Sequence, residues 1–581
     1  MANSSMDTLN AKRLTPSEVA SSFVAPVSFD RLSGKDHIYV IGPRGSGKTT
    51  LLRMLTGESL AAWPGDRGDV AREKIRFSAI FLPADELWAS QTTLVDVRAA
   101  FNAQALIAFV ETLLYRTSGD PTVHLPASLE LSDEGALASR YAQMWGITDS
   151  PGGLQGLLSS LEQFLLRLDQ NAVTSHPLAH DDGLRLLSTS ISEFNRAVHQ
   201  PHHQWALLLD EMELAPSEVH RIVTSFVRGG PVALTLKISM SPFDRYMDFY
   251  GAQGSPVPGH DFQTIYLSGQ EPRELRRITY GLWDEALRAR GLPPRDFRGA
   301  LSSTEATPRG ERISPTRDTA AFIADMARRD RSLREWLQRR GLDPRNPSRL
   351  TYLESSATIR KITPLLVYRD ALLNFRDGNP VKRSRKKSLE PFTGPASVIS
   401  ILEGNPRWIK SAFTDMLERY DRRTRTVSLG FQYDALISEA GRFEALLRVL
   451  PMRESGASAV PTIELVDKIA RYLHDRNTTV FSADAPNTFT VDARTPPDIQ
   501  HALTLGLYAG AFVHLRDRRS PAILSSFAGQ RFRLTNLLAI RDGKELPLRL
   551  GKDISLGRIY ARPRRNSSQE LPLDWNTYET K

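Results

Sequence analysis

Residues 42–49, with the sequence Gly-Pro-Arg-Gly-Ser-Gly-Lys-Thr, match the phosphate-binding pattern G-x-x-x-x-G-K-[ST] at every specified position. Glycines in such a loop let several backbone N–H groups approach a phosphate, because no Cβ blocks the contact. We expect Lys48 to reach the β- and γ-phosphates and the Thr49 hydroxyl to ligate Mg²⁺. The predicted nucleotide contacts are Gly42, Pro43, Arg44, Gly45, Ser46, Gly47, Lys48, Thr49 and Thr50.

Two adjacent acids, Asp210 and Glu211, follow the apolar run at residues 205–209. A strand that ends in carboxylates can hold Mg²⁺ and activate water for phosphoryl transfer. We expect Asp210 to bind the metal and Glu211 to polarise the attacking water. Together with the loop, the two acids predict an enzyme that binds ATP with Mg²⁺ and hydrolyses it.

A further strand end, after residues 233–238, carries Ser239 and Ser241. In many P-loop ATPases, a polar side chain at the end of this strand senses the γ-phosphate. Ser239 is the better candidate of the two, and an ordinary strand-end serine is the alternative.

The segments around these residues predict an α/β fold. Apolar runs typical of strands occur at residues 37–41, 75–82, 205–209, 232–238 and 262–267. Apolar residues with helical spacing lie between them, as at residues 100–114 and 154–168. Strands that alternate with helices indicate a parallel sheet covered on both faces.

The loop, the acid pair and the Ser239 strand follow one another in an order that resembles the AAA+ superfamily. Residues 402–410, Leu-Glu-Gly-Asn-Pro-Arg-Trp-Ile-Lys, are similar to the Gly-Asn-Pro-Arg element in the lid of bacterial origin-recognition/Cdc6-like ATPases and related signal-transducing (STAND-type) ATPases. The resemblance implies that Arg407 contacts the γ-phosphate and couples the nucleotide state to a helical lid. A surface arginine at a helix N-terminus is the alternative.

The same resemblance implies a C-terminal winged-helix domain that binds duplex DNA. Residues 463–474 and 499–508 have helical character, and strand-like segments at 511–515 and 532–538 flank the basic residues 516–519. A winged helix places one helix in the major groove and its wing along the phosphate backbone. A generic α/β packing domain is the alternative.

These patterns predict a division of the chain into four parts. They are an N-terminal arm at residues 1–30, an AAA+ core at 31–270 with a helical insertion at about 94–200, a helical lid with loop insertions at 271–425, and a winged-helix-like domain at 426–581. The insertion makes the stretch between Lys48 and Asp210 far longer than a minimal AAA+ core needs. Arg245 is the best candidate for an arginine finger, and Arg228 is the next.

Basic residues concentrate at residues 382–387 and near the C-terminal end. Such a run can neutralise several phosphates and would bind DNA in a salt-dependent manner, whereas a solvated loop is the alternative. The net charge of +9, from 75 basic and 66 acidic residues, also leans toward a polyanionic partner. The basic positions are Lys382, Arg383, Arg385, Lys386, Lys387, Arg516, Arg518, Arg519, Arg558, Arg562, Arg564 and Arg565.

Composition limits the class of protein. The 581 residues are 41% hydrophobic and 24% charged, which is ordinary for a globular chain of several domains. The absence of cysteine excludes disulfides, thiolate metal sites and a cysteine nucleophile. We expect no secretory signal and no membrane span, since no run approaches roughly 20 apolar residues. A cytoplasmic protein fits these features.

Two uses of an ATP-driven switch fit the sequence. In the first, the protein binds duplex DNA in replication, mobile-element maintenance or genome defence. In the second, it is a signal-transducing regulator that controls an effector protein, encoded nearby, without binding DNA. Both are compatible with a nucleotide-dependent oligomer.

Overall fold

The structure, a computed structural model, describes most of the chain. The described residues are 13–91, 93–147, 152–168, 176–180, 183–243, 255–301, 317–342, 353–450, 460–517, 520–521 and 523–560. Several predicted sites lie outside them, namely the finger candidate Arg245 and the basic residues Arg518, Arg519, Arg562, Arg564 and Arg565.

A five-stranded parallel sheet forms the centre of the N-terminal half. Its strands are β1 (His37–Ile41), β2 (Phe77–Pro83), β3 (Gln204–Asp210), β4 (Leu234–Met240) and β5 (Phe262–Tyr266). They lie in the order β2, β3, β4, β1, β5, and every pairing is parallel. The predicted α/β fold with a parallel sheet is confirmed, and each strand lies within two residues of its predicted range.

The order of the strands brings the predicted site residues to one edge of the sheet. Strand β4 lies between β1 and β3, and its residue Ser239 pairs with Val40 of β1. On the other side of β4, Leu209 of β3 pairs with Ile238. Because the carboxyl ends of parallel strands meet at the same edge, the loop after β1, Asp210 and Ser239 are neighbours.

Helices cover both faces of this sheet. They are α1 (Pro16–Ser21), α2 (Phe29–Leu32), α3 (Lys48–Arg53), α4 (Gly57–Ala62), α5 (Asp66–Lys74), α6 (Glu86–Ser90), α7 (Leu94–Thr117), α8 (Leu131–Trp145), α9 (Leu154–Arg167), α10 (Gly183–Ala197) and α11 (Ser217–Gly229). On one face, Phe109 of α7 and Phe194 of α10 contact Trp205 of β3 edge to face. The predicted insertion therefore packs directly against the acid-bearing strand.

Helix α7 is the longest apolar helix of the N-terminal half, in a chain for which the sequence predicts no membrane span. Among the described residues it is the one helix whose length and composition would suit a membrane span, and 67% of its most apolar window is buried inside the protein. Its buried residues, such as Phe101, Phe109 and Leu113, belong to the apolar core beneath the sheet. The apolar character of α7 is explained by this packing.

The middle of the chain is helical, as predicted for the lid. Its helices are α12 (Pro272–Ala289), α13 (Phe297–Leu301), α14 (Arg317–Arg329), α15 (Arg331–Arg339), α16 (Leu353–Leu372), α17 (Gly394–Leu402) and α18 (Pro406–Glu418), with a hairpin of β6 (Leu373–Arg376) and β7 (Asn379–Lys382). The Gly-Asn-Pro-Arg element follows the C-cap of α17 at Glu403 and begins α18. Asn405 caps α18 by accepting hydrogen bonds from the N–H groups of Arg407 and Trp408.

The C-terminal region combines helices with a small sheet. The helices are α19 (Leu429–Arg448), α20 (Thr462–Thr478), α21 (Pro497–Ala509) and α22 (Leu556–Tyr560), and the strands are β8 (Thr488–Thr490), β9 (Phe512–His514), β10 (Arg531–Leu534) and β11 (Asp553–Ser555). The strands lie in the order β11, β8, β10, β9. The strand predicted at 532–538 was too long, because Asn536–Ile540 forms a 3-10 helix whose backbone N–H at Asn536 donates to Glu403.

The lid and the C-terminal region share one apolar core. Its buried members include Trp283 of α12, Phe413 of α18, Phe443 of α19 and Leu503 of α21. This core continues across residue 425, where the sequence predicted a boundary between two parts. Burial of a continuous apolar surface stabilises both regions together.

Candidate nucleotide-binding site

The loop after β1 has the backbone geometry that its glycines permit. Gly45 and Gly47 have φ angles of +82° and +92°, in the left-handed region that residues with a Cβ rarely adopt. Helix α3 begins directly after Gly47, so its N-terminal N–H groups face the interior of the loop. The N–H of Gly42 donates to the carbonyl of Met240 at 3.1 Å, which ties the loop to β4.

The side chain of Lys48 is buried at the base of this loop. Its ammonium nitrogen donates to the Gly42 carbonyl at 2.7 Å and lies 3.5 Å from Oε1 of Glu213. The side chains of Lys48 and Glu213 are 6% and 7% exposed, respectively. Lys48 is therefore held in place by a backbone carbonyl and by a buried carboxylate.

Glu213 is a site residue that the motifs of the sequence did not mark. Neither of its carboxylate oxygens accepts a hydrogen bond from the part of the chain that the structure describes. Burial raises the pKa of Glu213, and the positive charge of Lys48 opposes that shift. The sequence feature that could have identified Glu213 is its position two residues after Glu211, in the run Asp-Glu-Met-Glu.

Asp210 and Ser239 are in direct contact, with Thr49 nearby. The Ser239 hydroxyl donates to Oδ1 of Asp210 at 2.5 Å, and Asp210 is fully buried. Burial raises the pKa of Asp210, whereas the nearby hydroxyls of Ser239 and Thr49 lower it. The structure thus brings together the two predicted metal ligands, Thr49 and Asp210.

The surroundings of Asp210 fit a divalent cation. Its second carboxylate oxygen, Oδ2, has no hydrogen-bond partner among the described residues. A buried carboxylate oxygen without a partner is unfavourable unless a cation or a donor neutralises it. Oxygen ligands from a carboxylate and a hydroxyl are those that Mg²⁺ prefers. Since the described residues contain no cluster of three or more acidic, histidine or cysteine ligands, phosphates and waters would complete the coordination.

Glu211 stands at a turn that directs it toward the same cleft. Its φ angle is +56°, an uncommon left-handed conformation for a residue with a side chain. The N–H of Glu211 donates to the Ser239 hydroxyl at 2.9 Å. One serine hydroxyl therefore bonds both to the backbone of Glu211 and to the carboxylate of Asp210.

The Gly-Asn-Pro-Arg element contacts the phosphate-binding loop directly. The side-chain amide of Asn405 donates to the Arg44 carbonyl at 3.3 Å, and the N–H of Arg407 donates to the Gly45 carbonyl at 3.4 Å. A Cβ added at Gly45 would lie 3.1 Å from Cβ of Arg407. Burial, followed by the charge of Arg44, lowers the pKa of Arg407. The lid and the loop are thus packed against each other.

One cleft, with a cavity volume of about 300 Å³, collects these residues. Its lining includes Lys410, which ends the segment 402–410 but was given no role from the sequence, and Tyr508, which no sequence motif identified. Lys410 follows Arg407 by one helical turn, so its spacing was a usable signal. Tyr508 comes from α21 and carries no local motif. The full lining is Leu14, Val19, Ser22, Pro43, Arg44, Gly45, Gly47, Lys48, Thr49, Thr50, Glu211, Glu213, Pro406, Arg407, Lys410 and Tyr508.

Several residues predicted to bind nucleotide, and the second arginine-finger candidate, do not line this cleft. Gly42 and Ser46 are part of the loop, and Ser46 is buried beneath it. Asp210 and Ser239 are fully buried behind the cleft. The second finger candidate, Arg228, is exposed in the last turn of α11, just before β4 begins. It therefore lies near the amino end of the parallel strands, opposite the edge that carries the loop.

The basic run at residues 382–387 is only partly available to a polyanion. Lys386 forms ion pairs with Asp542 and Glu545, and Lys387 pairs with Asp370 at 2.6 Å. Arg383 donates to the Leu373 carbonyl at 2.9 Å. Three of the predicted phosphate contacts thus have partners within the chain.

The connection between β9 and β10, predicted as a wing, lies against the AAA+ core. Phe527 stacks on Phe243 with ring centroids 4.3 Å apart, and the N–H of Leu524 donates to the Pro242 carbonyl. Arg516 lies over the ring of Tyr266 in β5. The apolar residues Leu524 and Phe527 of the connection are buried there, whereas Arg516 at its start is exposed.

Comparison with known proteins identifies one family over nearly the whole chain. A sequence profile of the family described as ORC-CDC6-like matches residues 4–556. No curated protein matches the chain. Among solved structures, the Aeropyrum pernix ORC1 protein in complex with DNA matches with 11% identity and a TM-score of 0.27, covering 92% of this chain and 94% of that one. CDC6P from Pyrobaculum aerophilum matches with 10% identity and a TM-score of 0.26, covering 92% and 95%.

Proposed function

The chain belongs to the ORC-CDC6-like family of AAA+ proteins, and from that premise we propose that it is an ATP-hydrolysing switch. The observation that carries the proposal is the contact of the Ser239 hydroxyl with both acidic residues beside the phosphate-binding loop. This hydroxyl donates to Asp210 and accepts from the N–H of Glu211. A site built only to hold nucleotide would not need a second acid positioned in this way.

Each residue of the site has a role in the proposed reaction. The N–H groups of the loop and the ammonium of Lys48 bind the phosphates and stabilise negative charge as it develops. Thr49 and Asp210 would hold Mg²⁺, which supplies positive charge next to the phosphate oxygens. Glu211 orients the attacking water and accepts its proton.

In this proposal, the position of the lid changes with the nucleotide state. Asn405 and Arg407 hydrogen-bond to the loop carbonyls at Arg44 and Gly45, so a change in the loop reaches α18 directly. Arg407 contacts the γ-phosphate in this proposal, and loss of that phosphate on hydrolysis removes the interaction. The difference in interactions between the two nucleotide states is what shifts the position of the lid.

We propose duplex DNA as the partner of this switch. Support comes from the net charge of +9 and from the exposed basic residues Lys382 and Arg385. Helix α21, which would be the reading helix of a winged-helix domain, contains neither lysine nor arginine. In this proposal DNA is held through its phosphates by basic residues outside α21.

A second candidate function is a regulator that controls an effector protein. It is favoured by the docked β9–β10 connection, whose Phe527 stacks on Phe243 and whose Arg516 lies over Tyr266. These contacts attach the hairpin to the AAA+ core. In this alternative the nucleotide state would control a protein contact.

The test measures phosphate release with and without a mixed-sequence DNA duplex at two salt concentrations. We expect ATP hydrolysis by the wild type that increases when duplex is added and that loses this increase at high salt. Glu211→Gln should bind ATP with unchanged affinity and release no phosphate above background. A Glu211→Gln protein with normal turnover would refute the proposed base, and a wild type indifferent to DNA would favour the regulator.

A further inference from the structure

The end of helix α21 is attached to the phosphate-binding loop. The N–H of Arg44 donates to the backbone carbonyl of Tyr508 at 2.7 Å. Helix α21 then stops at Gly510, whose φ is +94°. A Cβ at Gly510 would lie 3.2 Å from Cβ of Pro43, so the two chain segments approach closely. The C-terminal region therefore contacts the nucleotide site through its backbone, apart from any motif in the sequence.

The side chain of Tyr508 enters the cleft at this point. It lines the same cavity as Lys48, Glu211 and Arg407. The charges that act on the phenol are those of Glu213, Arg44, Glu211 and Arg407. Glu211 and Arg407 are the residues proposed to act on the γ-phosphate and its attacking water. Tyr508 thus belongs to the γ-phosphate end of the cleft.

We propose that the hydroxyl of Tyr508 donates a hydrogen bond to the γ-phosphate of bound ATP, so that ATP fastens the C-terminal region to the AAA+ core. The inference rests on the proposed function only in that ATP binds in this cleft. It adds a nucleotide contact from a region more than 450 residues away in sequence from the loop. ADP, which lacks the γ-phosphate, leaves this bond unmade.

The chemistry of the phenol suits that role. Burial, followed by the negative charge of Glu213, raises the pKa of Tyr508, so the hydroxyl keeps its proton at neutral pH. A phenol donates one hydrogen bond without adding charge. Glu211 and Glu213 already place negative charge at this end of the cleft, so a triphosphate there needs donors, and Tyr508 supplies one beside Lys48 and Arg407.

The packing around Tyr508 explains how the bond would reach the rest of the C-terminal region. Phe512 of β9 packs against Gly506 of α21, where an added Cβ would meet the ring at 2.3 Å. Strand β9 pairs with β10, and their connection packs on Phe243 just after β4. Helix α21 and strands β9 and β10 therefore form one packed unit, which contacts the AAA+ core both at Tyr508 and at Phe243. A displacement of Tyr508 is expected to move this whole unit.

The experiment compares wild type, Tyr508→Phe and the control Tyr472→Phe as full-length proteins. Tyr472 lies on α20 of the same region and its hydroxyl accepts a long hydrogen bond of 3.3 Å from Arg476. Affinities for ADP and for a non-hydrolysable ATP analogue are measured by calorimetry with Mg²⁺. Hydrogen exchange of the Arg44 amide then reports on the bond between Arg44 and Tyr508.

We expect Tyr508→Phe to lose about tenfold in affinity for the ATP analogue, with ADP affinity unchanged, because one hydrogen bond to a charged group is removed. The analogue should slow exchange of the Arg44 amide in the wild type and in Tyr472→Phe, and slow it less in Tyr508→Phe. Equal losses for both nucleotides, or no loss for either, would overturn the inference while leaving ATP binding intact. A wild type that binds neither nucleotide would instead overturn the proposed function.

Discussion

The carboxylate of Glu213 lies 3.5 Å from the ammonium nitrogen of Lys48, and both side chains are buried. Lys48 therefore meets a negative charge of the protein at the place where it must meet a phosphate. Because Glu213 accepts no hydrogen bond from the described residues, the nearby positive charge is its main source of stabilisation. In the proposed function, a nucleotide competes with Glu213 for Lys48.

Glu213→Gln should bind ATP more tightly than the wild type. The substitution removes a negative charge that both repels the phosphates and holds Lys48, so the dissociation constant should fall by about threefold to tenfold. Calorimetric titration with an ATP analogue measures this change. Turnover should persist in this variant, in contrast to Glu211→Gln. Weaker binding, or turnover abolished as in Glu211→Gln, would mean that Glu213 is part of the reaction instead.

Asp210→Asn should stabilise the nucleotide-free protein while removing its response to Mg²⁺. Burial raises the pKa of Asp210, so ionisation of this group destabilises the folded state. This destabilisation increases as the pH rises. The neutral amide avoids that cost and still accepts the hydrogen bond of Ser239. We expect a gain of about 1 kcal/mol in the free energy of unfolding at neutral pH.

The sign of the pH dependence gives a second check on Asp210. A raised pKa in the folded state makes the stability contribution of Asp210 complete at low pH and lost as the pH rises through that pKa. The difference between Asp210→Asn and the wild type should therefore shrink as the pH falls toward mildly acidic values. Urea unfolding at several pH values measures it. A constant difference would argue that Asp210 is not responsible.

Ser239→Ala should lower turnover far more than nucleotide affinity. The hydroxyl that this change removes bonds to the Asp210 carboxylate and to the N–H of Glu211, so it positions both acids. We expect kcat to fall by about tenfold to a hundredfold with little change in KM. Ser241→Ala is a matched control, because its hydroxyl on the same segment donates to the Phe243 carbonyl. Equal effects of the two substitutions would indicate a general loss of packing.

The sequence was sufficient to predict the sheet and the loop and strand-end residues that the structure brings together. The loop and the strands carry local signals, namely glycines that adopt positive φ at Gly45 and Gly47, and apolar runs that are buried along β3 and β4. The order β2, β3, β4, β1, β5 then places Asp210 beside Ser239. These features depend on local residue types and on the general behaviour of parallel sheets.

What the sequence did not predict comes from tertiary packing. Tyr508 reaches the cleft only because the apolar core of the lid continues into α21, and no local pattern marks that packing. The sequence indicated the basic residues 516–519 and the strands on either side, but not that Leu524 and Phe527 of the same connection are buried. An exposed basic residue and a buried apolar residue occur in the same connection, so charge alone does not show where the connection lies.

The basic run at residues 382–387 separates into structural and exposed positions. Lys386 is 15% exposed and pairs with Glu545, which is almost completely buried. Burial of Lys386 lowers the pKa of its ammonium group. Hydrogen bonds from Lys386 to Asp542, Tyr433 and Glu545 outweigh burial, so the pKa is raised overall. Lys382 and Arg385 are exposed in the same run.

Lys386→Ala should therefore act on stability, and the pair Lys382→Ala with Arg385→Ala should act on DNA binding. Loss of Lys386 leaves the buried Glu545 without its lysine partner, and we expect the free energy of unfolding to fall by about 3 kcal/mol. Removing the two exposed charges should leave stability unchanged and reduce the slope of log affinity against log salt by about one for each phosphate that is no longer neutralised. Urea unfolding and DNA titrations at several salt concentrations measure the two effects. If the exposed pair changes neither DNA affinity nor its salt slope, this run does not bind DNA, and the regulator that acts on a protein partner becomes the better account of the switch.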